Sequence, residues 1–548
     1  MSKSILDLSA KEAFDYFMRE DVYTTLKLPI YFRFSSILRK IESEYNSWSS
    51  KNPLQNSRDH YKESVLDSKP GPKRLESVNH IIAINKEGAY SFRRITITNP
   101  ILYFYLVKLI TEDSNWNIII NRFKTFHSKA PFIRISSILR VPDDTQENPQ
   151  KNVPEDVPNE NKNSTSNSIS NPSGCAINKW WIDYELAAIQ CSMKYEYMLK
   201  TDITNFYPSI YVHSLSWAIS NRKICKDNLN KKDKDCPADI NLGRAIEDYI
   251  LSMQSGETMG IPIGSGIFDL LAELVLGYAD MMLAEALQES SDSDLQILRY
   301  RDDYTIFSND SEKLKKVIST LHSVLSELKL SLNERKTEFL DSSSLNILKK
   351  DKIASLRLPT SGSLGILKEA YSILMFTSEH PNSGQLCQIL TKFSNRLQLK
   401  NNKESVEQFL PQLVSILCEI AIRNRKYAQY PIAIISQLLS GPAIADQNHK
   451  TDLAQQLVNR FKRQVNIGYI EIWLQRALLA TGAQKDFNEA LCKYVANTKT
   501  EPLWNVSWVK PKYLGDITWN STEFIDRKIL GEITPFIKMD EISVFEYN

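Results

Sequence analysis

The stretch RYRDDYTIF at residues 299–307 places two adjacent aspartates between two apolar runs that both favour a β-strand. The flanking segments LQIL and YTIF are typical of strands, whereas aspartate is unfavourable in a strand interior. Two abutting carboxylates repel each other and lose hydration when half buried, so they need a positive partner. No Lys or Arg stretch is an obvious partner within this hairpin, which leaves a divalent metal ion as the natural counter-charge. An Asp-Asp pair can also occur by chance in a surface turn, and the hairpin alone does not exclude that interpretation.

A second acidic strand favours the metal interpretation. In LKTDITNFYPSI (199–210), Asp202 follows the start of a strand, and Asp202, Asp302 and Asp303 converge on one sheet edge if the two segments are neighbours. Three carboxylates about 4 Å apart would repel by about 4 kcal/mol per pair at an effective dielectric constant near 20, which forces proton uptake or metal capture. Hard oxygen ligands select Mg²⁺ or Mn²⁺ over zinc. Two such ions about 3.5–4 Å apart can support an in-line phosphoryl displacement. The three aspartates therefore predict a metal site for nucleotidyl transfer.

The composition excludes several other classes of protein. A chain of 548 residues with 42% hydrophobic residues can form more than one domain, and its net charge of +2 confines nucleic-acid binding to local basic patches. The seven cysteines form no CxxC pair, which argues against zinc and against a disulfide framework. The N-terminus resembles no secretory signal, and no uncharged apolar run could span a bilayer. We therefore expect a soluble protein of the cytoplasm with no membrane partner.

Four regions follow from the order of the segments. Residues 1–140 mix helical patterns with short strands, and 141–174 are rich in Asn, Ser, Pro and acids without an aromatic residue, which predicts a disordered or surface insertion. Residues 175–345 alternate strands and helices in an α+β pattern around the aspartates. Residues 346–548 are a series of helical segments, typical of a helical-repeat domain, although no fixed period is present. They end in a tail rich in aromatic residues that we expect to fold back onto the body.

Four sequence blocks together resemble the palm motifs of reverse transcriptases. They are KTDITNFYPSIY, GIPIGSGIFDLLAE, YRDDYTIF and LSLNERKTEF, and YRDD stands where that family has its Tyr-X-Asp-Asp box. The resemblance covers about residues 20–345. With LPIYFRF (28–34) and HSLSWAI (213–219), the blocks are most similar to the bacterial abortive-infection and defence-associated reverse transcriptases, whose C-terminal halves are helical repeats. The resemblance implies an α+β right-hand palm and fingers followed by an all-α helical-repeat domain that replaces or extends the thumb.

The resemblance also implies roles for the residues at the metal site and the sugar. Asp202 and Asp302 would be shared ligands of two Mg²⁺ or Mn²⁺ ions, with Asp303 more peripheral. Tyr207 stands where the family has the aromatic residue that crowds the ribose 2′ position and favours dNTPs. Phe206 takes that role if the register shifts by one residue. A core position for Tyr207 is the alternative.

Further residues are implied to bind the triphosphate. Lys86, Arg93 and Arg94 resemble the finger cations that grip it, which is physically sensible because phosphates need delocalised positive charge. Lys336 matches a lysine that could protonate the leaving pyrophosphate. Gly264 lies in the loop where primer and nucleotide should meet. The competing interpretations are a solvated strand for the two arginines, a surface cation for Lys336 and a simple turn for the glycine.

The sequence departs from the family at Pro262-Ile263-Gly264, where many members have Pro-Gln-Gly. The loss of a polar side chain near the nascent base pair argues against ordinary template-faithful copying. No ribonuclease H carboxylate set, endonuclease or mobile-element maturation domain is recognisable, so host defence fits better than a selfish element. The expected activity is RNA-directed DNA polymerase, with dNTPs and an RNA or DNA strand as partners.

The first hypothesis is a metal-dependent DNA polymerase of antiphage defence (abortive infection). Members of that group can synthesise DNA without an ordinary template and can prime from a protein hydroxyl, and a homo-oligomer is compatible with the broad surfaces of helical repeats. Two alternatives stay open. One is a retron-like reverse transcriptase with a dedicated noncoding RNA, and the other is a scaffold in which the palm serves as a nucleotide sensor with little turnover.

Overall fold

The structure is a computed structural model. It describes residues 4–53, 56–67, 71–86, 91–135, 141, 172–287, 294–359, 362–440, 447–479, 487–498, 501–520 and 522–542. Nearly all of the predicted insertion at 141–174, together with Phe545 and Tyr547 of the aromatic tail, lies outside these residues.

Two antiparallel hairpins frame the site. The first is a separate two-stranded sheet, and the second belongs to a five-stranded sheet of order β3-β5-β6-β4-β7, antiparallel except for the parallel pair β3–β5. The strands are β1 (His80–Asn85), β2 (Phe92–Ile97), β3 (Ile133–Ile135), β4 (Tyr197–Asp202), β5 (Gln296–Tyr300), β6 (Asp303–Ser308) and β7 (Glu338–Asp341).

Helices of the first part of the chain surround these sheets. They are α1 (Ala10–Phe17), α2 (Glu20–Tyr23), α3 (Ser35–Lys51), α4 (Ser57–His60), α5 (Pro100–Ile110), α6 (Asp113–Lys129), α7 (Pro172–Ser192), α8 (Phe206–Ser209), α9 (His213–Ile219), α10 (Arg222–Asp227), α11 (Ala238–Met253), α12 (Gly266–Leu287), α13 (Ser311–Glu327), α14 (Ser344–Ile347) and α15 (Lys350–Leu356). Single turns of other helix types lie at Ile5–Asp7, Tyr61–Val65, Pro72–Arg74, Asp233–Asp235 and Glu334–Lys336.

The described residues after α15 are helical or irregular. The helices are α16 (Ile366–Glu379), α17 (Gln385–Leu397), α18 (Lys403–Gln408), α19 (Leu410–Arg423), α20 (Gln429–Ser440), α21 (Gln447–Lys462), α22 (Gly468–Leu478), α23 (Ala490–Val495), α24 (Pro511–Asp516), α25 (Arg527–Gly531) and α26 (Met539–Ile542), with 3₁₀ turns at Lys400–Asn402 and Arg425–Tyr427. The predicted fold class, an α+β part followed by a helical C-terminal part, is confirmed. The predicted domain limits and the repeat organisation stay predictions.

The five-stranded sheet is covered by helices on both faces. Alternate residues of a strand point to opposite faces, and Leu199 packs in the core that includes α12 and α13, whereas Met198 packs against α7 and α14. Asp202 has the parity of Met198, and its cross-strand partner Asp303 shares that face. The two carboxylates therefore lie at the end of strands whose inner residues are buried against α7.

Helix α12 differs from the prediction. The sequence predicts an amphipathic helix over this segment, but nearly every residue of α12 is buried. It contacts α2, α6, α9 and α13, so most of its surface is covered, and its exposed residues are Glu285 and Ala286 near the C-terminal end. Its buried carboxylates, Glu273 and Asp280, are 1% and 2% exposed and therefore need partners inside the protein.

The aromatic tail folds back onto the first part of the chain, as predicted. The indole of Trp504 donates to the carbonyl of Ile97 over 3.0 Å, and Trp508 contacts the ring of Tyr61 at a centroid distance of 6.1 Å. One continuous hydrophobic core extends from Ile5 in the first turn to Ile542 in α26. Among the described helices, none combines the length and the apolar character that crossing a membrane would require.

Candidate active site

The register of the sheet brings the three predicted aspartates to one end of two neighbouring strands. Asp202, the last residue of β4, is paired directly with Asp303, the first residue of β6. Asp302 lies in the two-residue turn between β5 and β6, and its carbonyl accepts from the amide of Ile203 over 3.2 Å. Arg301 has a left-handed φ of +54°, which tight two-residue hairpins demand. The turn thus presents consecutive aspartates at the strand end.

Asp202 is buried, and only one of its two carboxylate oxygens has a hydrogen-bond partner. Its Oδ2 accepts from Lys336 Nζ over 2.9 Å, whereas its Oδ1 is buried without a hydrogen-bond partner. Like charges directly opposite each other destabilise an antiparallel pair, and Asp303 is the residue opposite. A bound cation would offset both the burial of this unpartnered carboxylate oxygen and the repulsion from the carboxylate of the paired residue.

The other two carboxyl groups are perturbed in the same sense. Burial raises the pKa of Asp302, and the neighbouring Asp202 adds to the effect while Arg301 opposes it. Burial, followed by the charge of Asp302, raises the pKa of Asp303 to about 6. The two raised pKa values indicate that the charged forms of Asp302 and Asp303 have too little positive charge nearby to offset their burial.

Within the described ranges, no group of three or more His, Cys, Asp or Glu side chains is placed so that it could hold a metal ion. Mg²⁺ takes one or two carboxylates and completes its shell with water and substrate phosphates. The observations that fit a hard divalent ion here are the unpartnered Oδ1 of Asp202 and the raised pKa values of Asp302 and Asp303.

The arginines of the hairpin have other partners. Arg299 is fully buried and binds Glu273 and Asp280 of α12, at 3.1 Å and 2.8 Å from its Nη1 and Nε. Arg301 binds Asp269 of α12 over 3.2 Å. Arg301 offsets only part of the charge of Asp302, so the expectation that the aspartates lack an adequate cation within the hairpin agrees with the geometry.

A large cleft with a volume of about 2380 Å³ lies between the β1–β2 hairpin, the strand ends and the C-terminal helices. Seven of the ten predicted site residues line it: Lys86, Arg93, Arg94, Phe206, Tyr207, Gly264 and Asp302. The other three, Asp202, Asp303 and Lys336, lie beside it on the strand end and in the turn before β7. Asp302 therefore connects the carboxylate cluster with the cleft.

The comparison with protein families agrees with this geometry. Residues 149–351 match the family model described as reverse transcriptase (RNA-dependent DNA polymerase). The chain carries a reverse transcriptase domain. The matched segment contains all three aspartates and Lys336, whereas the β1–β2 hairpin and the C-terminal helices lie outside it. This domain makes the chain an RNA-directed DNA polymerase, a nucleotidyltransferase, and reverse transcriptase domains use divalent metal ions.

Comparisons with whole proteins show lower similarity than the match to the family model. No curated protein has significant sequence similarity to the chain. Apo telomerase from Candida tropicalis has a TM-score of 0.32 and 13% identity, covering 79% of this chain and 74% of that chain. Telomerase from Candida albicans in complex with a TWJ fragment of telomeric RNA has a TM-score of 0.28 and 12% identity, covering 79% and 68%. At these scores the likeness adds nothing to the assignment, which rests on the family match.

One residue of the reverse transcriptase domain that the sequence did not single out is Asp269. It accepts from the hydroxyl of Tyr207 and from Arg301. Burial raises the pKa of Tyr207 well above its usual value, so the phenol stays neutral and can donate. Asp269 thereby links Tyr207 with Arg301, which lies in the same turn as Asp302. The sequence shows that Asp269 belongs to the block GIPIGSGIFDLLAE, but it does not show the hydrogen bonds of Asp269 with Tyr207 and Arg301.

The glycine loop packs tightly against the fingers. The carbonyl of Ile263 accepts from Thr96 of β2 over 2.7 Å, and that of Gly264 accepts from Thr25 over 2.9 Å. Gly264 has φ +121°, and a Cβ there would lie 2.8 Å from the side chain of Ile95. A glycine is therefore required by both the backbone conformation and the packing.

We expect Gly264→Ala to cost about 1–3 kcal/mol of stability and to impair nucleotide use, because the added methyl group separates the loop from β2. Denaturant unfolding and the KM for dNTPs measure the two effects. The matched control is Gly362→Ala, at φ +95° with open space around the Cβ position, which shares the strain but not the contact with the fingers. A KM unchanged in Gly264→Ala would contradict a role of this loop in the site.

The predicted finger cations lie around the cleft. Lys86 donates to Asn205 over 3.4 Å, and Asn205 adopts a left-handed φ of +45° just before the short helix that carries Phe206 and Tyr207. Arg93 and Arg94 are exposed on β2. Lys349 and Lys426, which the sequence did not single out, also line the cleft. Lys426 comes from the helical C-terminal part, and no motif marks it.

Proposed function

We propose that the chain synthesises DNA from dNTPs with Mg²⁺ or Mn²⁺ held by Asp202 and Asp302, with Asp303 as a more peripheral ligand. The observation that carries this proposal is the buried Oδ1 of Asp202, which has no hydrogen-bond partner, on a residue paired directly with Asp303 across the two strands. The bound ions would lower the pKa of the attacking hydroxyl and stabilise the leaving phosphate oxygens.

The other residues would bind and orient the nucleotide. Lys86, Arg93 and Arg94 supply positive charge to the triphosphate from the β1–β2 hairpin. Tyr207, held by Asp269, lies against the ribose and disfavours a 2′-hydroxyl. Phe206 is only 3% exposed, which favours Tyr207 for this role. Lys336, whose Nζ lies 2.9 Å from Asp202, donates the proton that the leaving pyrophosphate takes.

We further propose that this synthesis serves bacterial antiphage defence in the cytoplasm, by a homo-oligomeric enzyme. The similarity of the sequence blocks to defence-associated reverse transcriptases supports this setting. One structural observation favours synthesis without an ordinary template. Helix α7 packs on the sheet face of Asp202 and Asp303, where the Tyr184 hydroxyl lies 2.6 Å from Thr305 and the Trp181 ring 5.1 Å from that of Tyr300. A helix there leaves less room for a template–primer duplex.

The test is incorporation of each labelled dNTP, and of each rNTP, by the purified chain with Mg²⁺, Mn²⁺ or a chelator. We expect metal-dependent incorporation that favours dNTPs. Product that survives nuclease treatment and stays attached to the denatured protein supports template-independent, protein-primed synthesis. Nuclease-sensitive synthesis with one co-purified RNA supports the retron-like alternative. No incorporation under any metal condition contradicts the proposal and favours the scaffold.

A further inference from the structure

The helical C-terminal part contributes a cation to the cleft of the reverse transcriptase domain. Lys426 lies in the 3₁₀ turn Arg425–Tyr427 between α19 and α20, outside the segment that matches the family model. It lines the same cleft as Arg93, Arg301 and Asp302. Its side chain keeps access to solvent through that cleft.

A network of amide side chains fixes Lys426 relative to the fingers. The Nδ2 of Asn382 donates to Asn85 Oδ1 over 2.5 Å and to the carbonyl of Lys86 over 3.2 Å, while its Oδ1 accepts from the amide of Lys426 over 3.1 Å. The guanidinium of Arg425 lies 5.4 Å from the ring centre of Phe92 on β2. The turn is thus attached to the hairpin that carries the predicted triphosphate cations.

The surroundings of Lys426 lack a counter-ion. Burial lowers its pKa to about 8, and the charges of Arg93 and Arg301 act in the same direction. Among the described residues, no carboxylate forms an ion pair with it, and its nearest aromatic contact is the ring of Tyr427 at 4.9 Å. Arg301 is paired with Asp269, whereas Lys426 and Arg93 form no ion pair among the described residues. An external anion would supply the negative charge that these two side chains lack.

The position of Lys426 favours a compact anion as its ligand. Lys426, Arg93, Arg301 and Asp302 line one cleft, and the charges of the two arginines act both on Lys426 and on Asp302. A triphosphate concentrates several negative charges in one place, whereas the phosphates of a strand are spread along a track.

We propose that Lys426 binds the triphosphate of the incoming nucleotide, so that the helical C-terminal part completes the nucleotide site. This inference rests on the proposed DNA synthesis for the identity of the ligand, but phosphate binding can be measured without turnover. Arg93 and Lys426, which line the same cleft, would hold the anion together with Arg301, the residue before Asp302.

The experiment is calorimetric titration of the full chain with Mg²⁺–dTTP, thymidine, inorganic tripolyphosphate and a single-stranded oligodeoxynucleotide. We expect Lys426→Ala to weaken dTTP and tripolyphosphate binding about 10- to 100-fold, the range of a charge-assisted hydrogen bond. Thymidine and oligonucleotide binding should be unchanged, and Lys426→Arg should retain the affinity. The matched control is Lys403→Ala on α18, where the side chain is 61% exposed and 3.9 Å from Glu407.

The pH dependence provides a second readout. Burial lowers the pKa of Lys426 to about 8, whereas burial raises the pKa of the neighbouring Cys387 thiol to about 12. Lys426 is therefore the one of these two groups that titrates near pH 8. Lysine is charged below its pKa, so tripolyphosphate affinity of the wild type should fall as pH rises through about 8. Lys426→Arg should remove that fall.

Each outcome decides between assignments. If Lys426→Ala weakens only oligonucleotide binding, the residue contacts a strand and the triphosphate assignment is wrong. Unchanged tripolyphosphate binding, or none in the wild type, overturns the inference even if dNTPs are incorporated. Tripolyphosphate binding that depends on Lys426, in a chain that incorporates no nucleotide, upholds the phosphate site and contradicts only the proposed synthesis.

Discussion

Asp302→Asn is expected to lower the rate of nucleotide incorporation by about a thousandfold or more, because a lost metal ligand removes several kcal/mol of transition-state stabilisation. The same substitution should leave the fold intact or stabilise it slightly. The pKa of Asp302 is raised by burial and by Asp202, so a neutral amide relieves repulsion that the folded protein bears. Single-turnover incorporation and denaturant unfolding of the same preparation test both halves of the prediction.

The matched control is Asp341→Asn. Asp341 is exposed at the end of β7, where it pairs with Tyr197, so it lies at the opposite end of β4 from Asp202. This variant should incorporate nucleotides at the wild-type rate. If Asp302→Asn retained incorporation within about tenfold of the wild type, the loss would be near 1.4 kcal/mol and too small for a metal ligand.

Features that depend on neighbouring residues were predictable from the sequence. Asn99 and Pro100 lie at the junction of β2 and α5, with Asn99 capping the amides of Ile101 and Leu102, and an Asn-Pro pair is a local signal for such a boundary. The two-residue turn of the aspartate hairpin was also visible, because strand-forming runs flank it. The pairing of Asp202 with Asp303 required only that two such segments be neighbours.

Features that depend on distant residues were not predictable. Arg299 was visible beside the aspartates, but its partners lie on α12, and only the packed structure shows that most of this helix is buried. Lys426 follows Asp302 by more than a hundred residues in a segment with no motif, and its place in the cleft depends on Asn382 and the β1–β2 hairpin. Local patterns carry no information about such contacts.

The second large effect is expected at Arg299. This side chain is 0% exposed and holds both Glu273 and Asp280, while the hydroxyl of Tyr304 donates to Asp280 over 3.1 Å. Its Nη1 also donates to the carbonyl of Arg301 over 3.2 Å, which ties the buried cluster to the turn before Asp302. Arg299→Ala leaves two buried carboxylates without their cation, and we expect a loss of about 3–5 kcal/mol in the free energy of unfolding.

The pH dependence of that loss distinguishes a buried charge from a lost packing contact. Burial already raises the pKa of Asp280, with Arg299 opposing the shift, so removing the arginine raises it further in the folded variant. The folded variant then binds more protons than its unfolded chain, and its stability must fall as pH rises. Urea unfolding should therefore show a smaller loss at about pH 5 than at about pH 7. The exposed Arg357→Ala should change stability by less than about 0.5 kcal/mol at either pH. A loss at Arg299 that is the same at both pH values would mean that packing, and not unpaired charge, accounts for the role of this arginine.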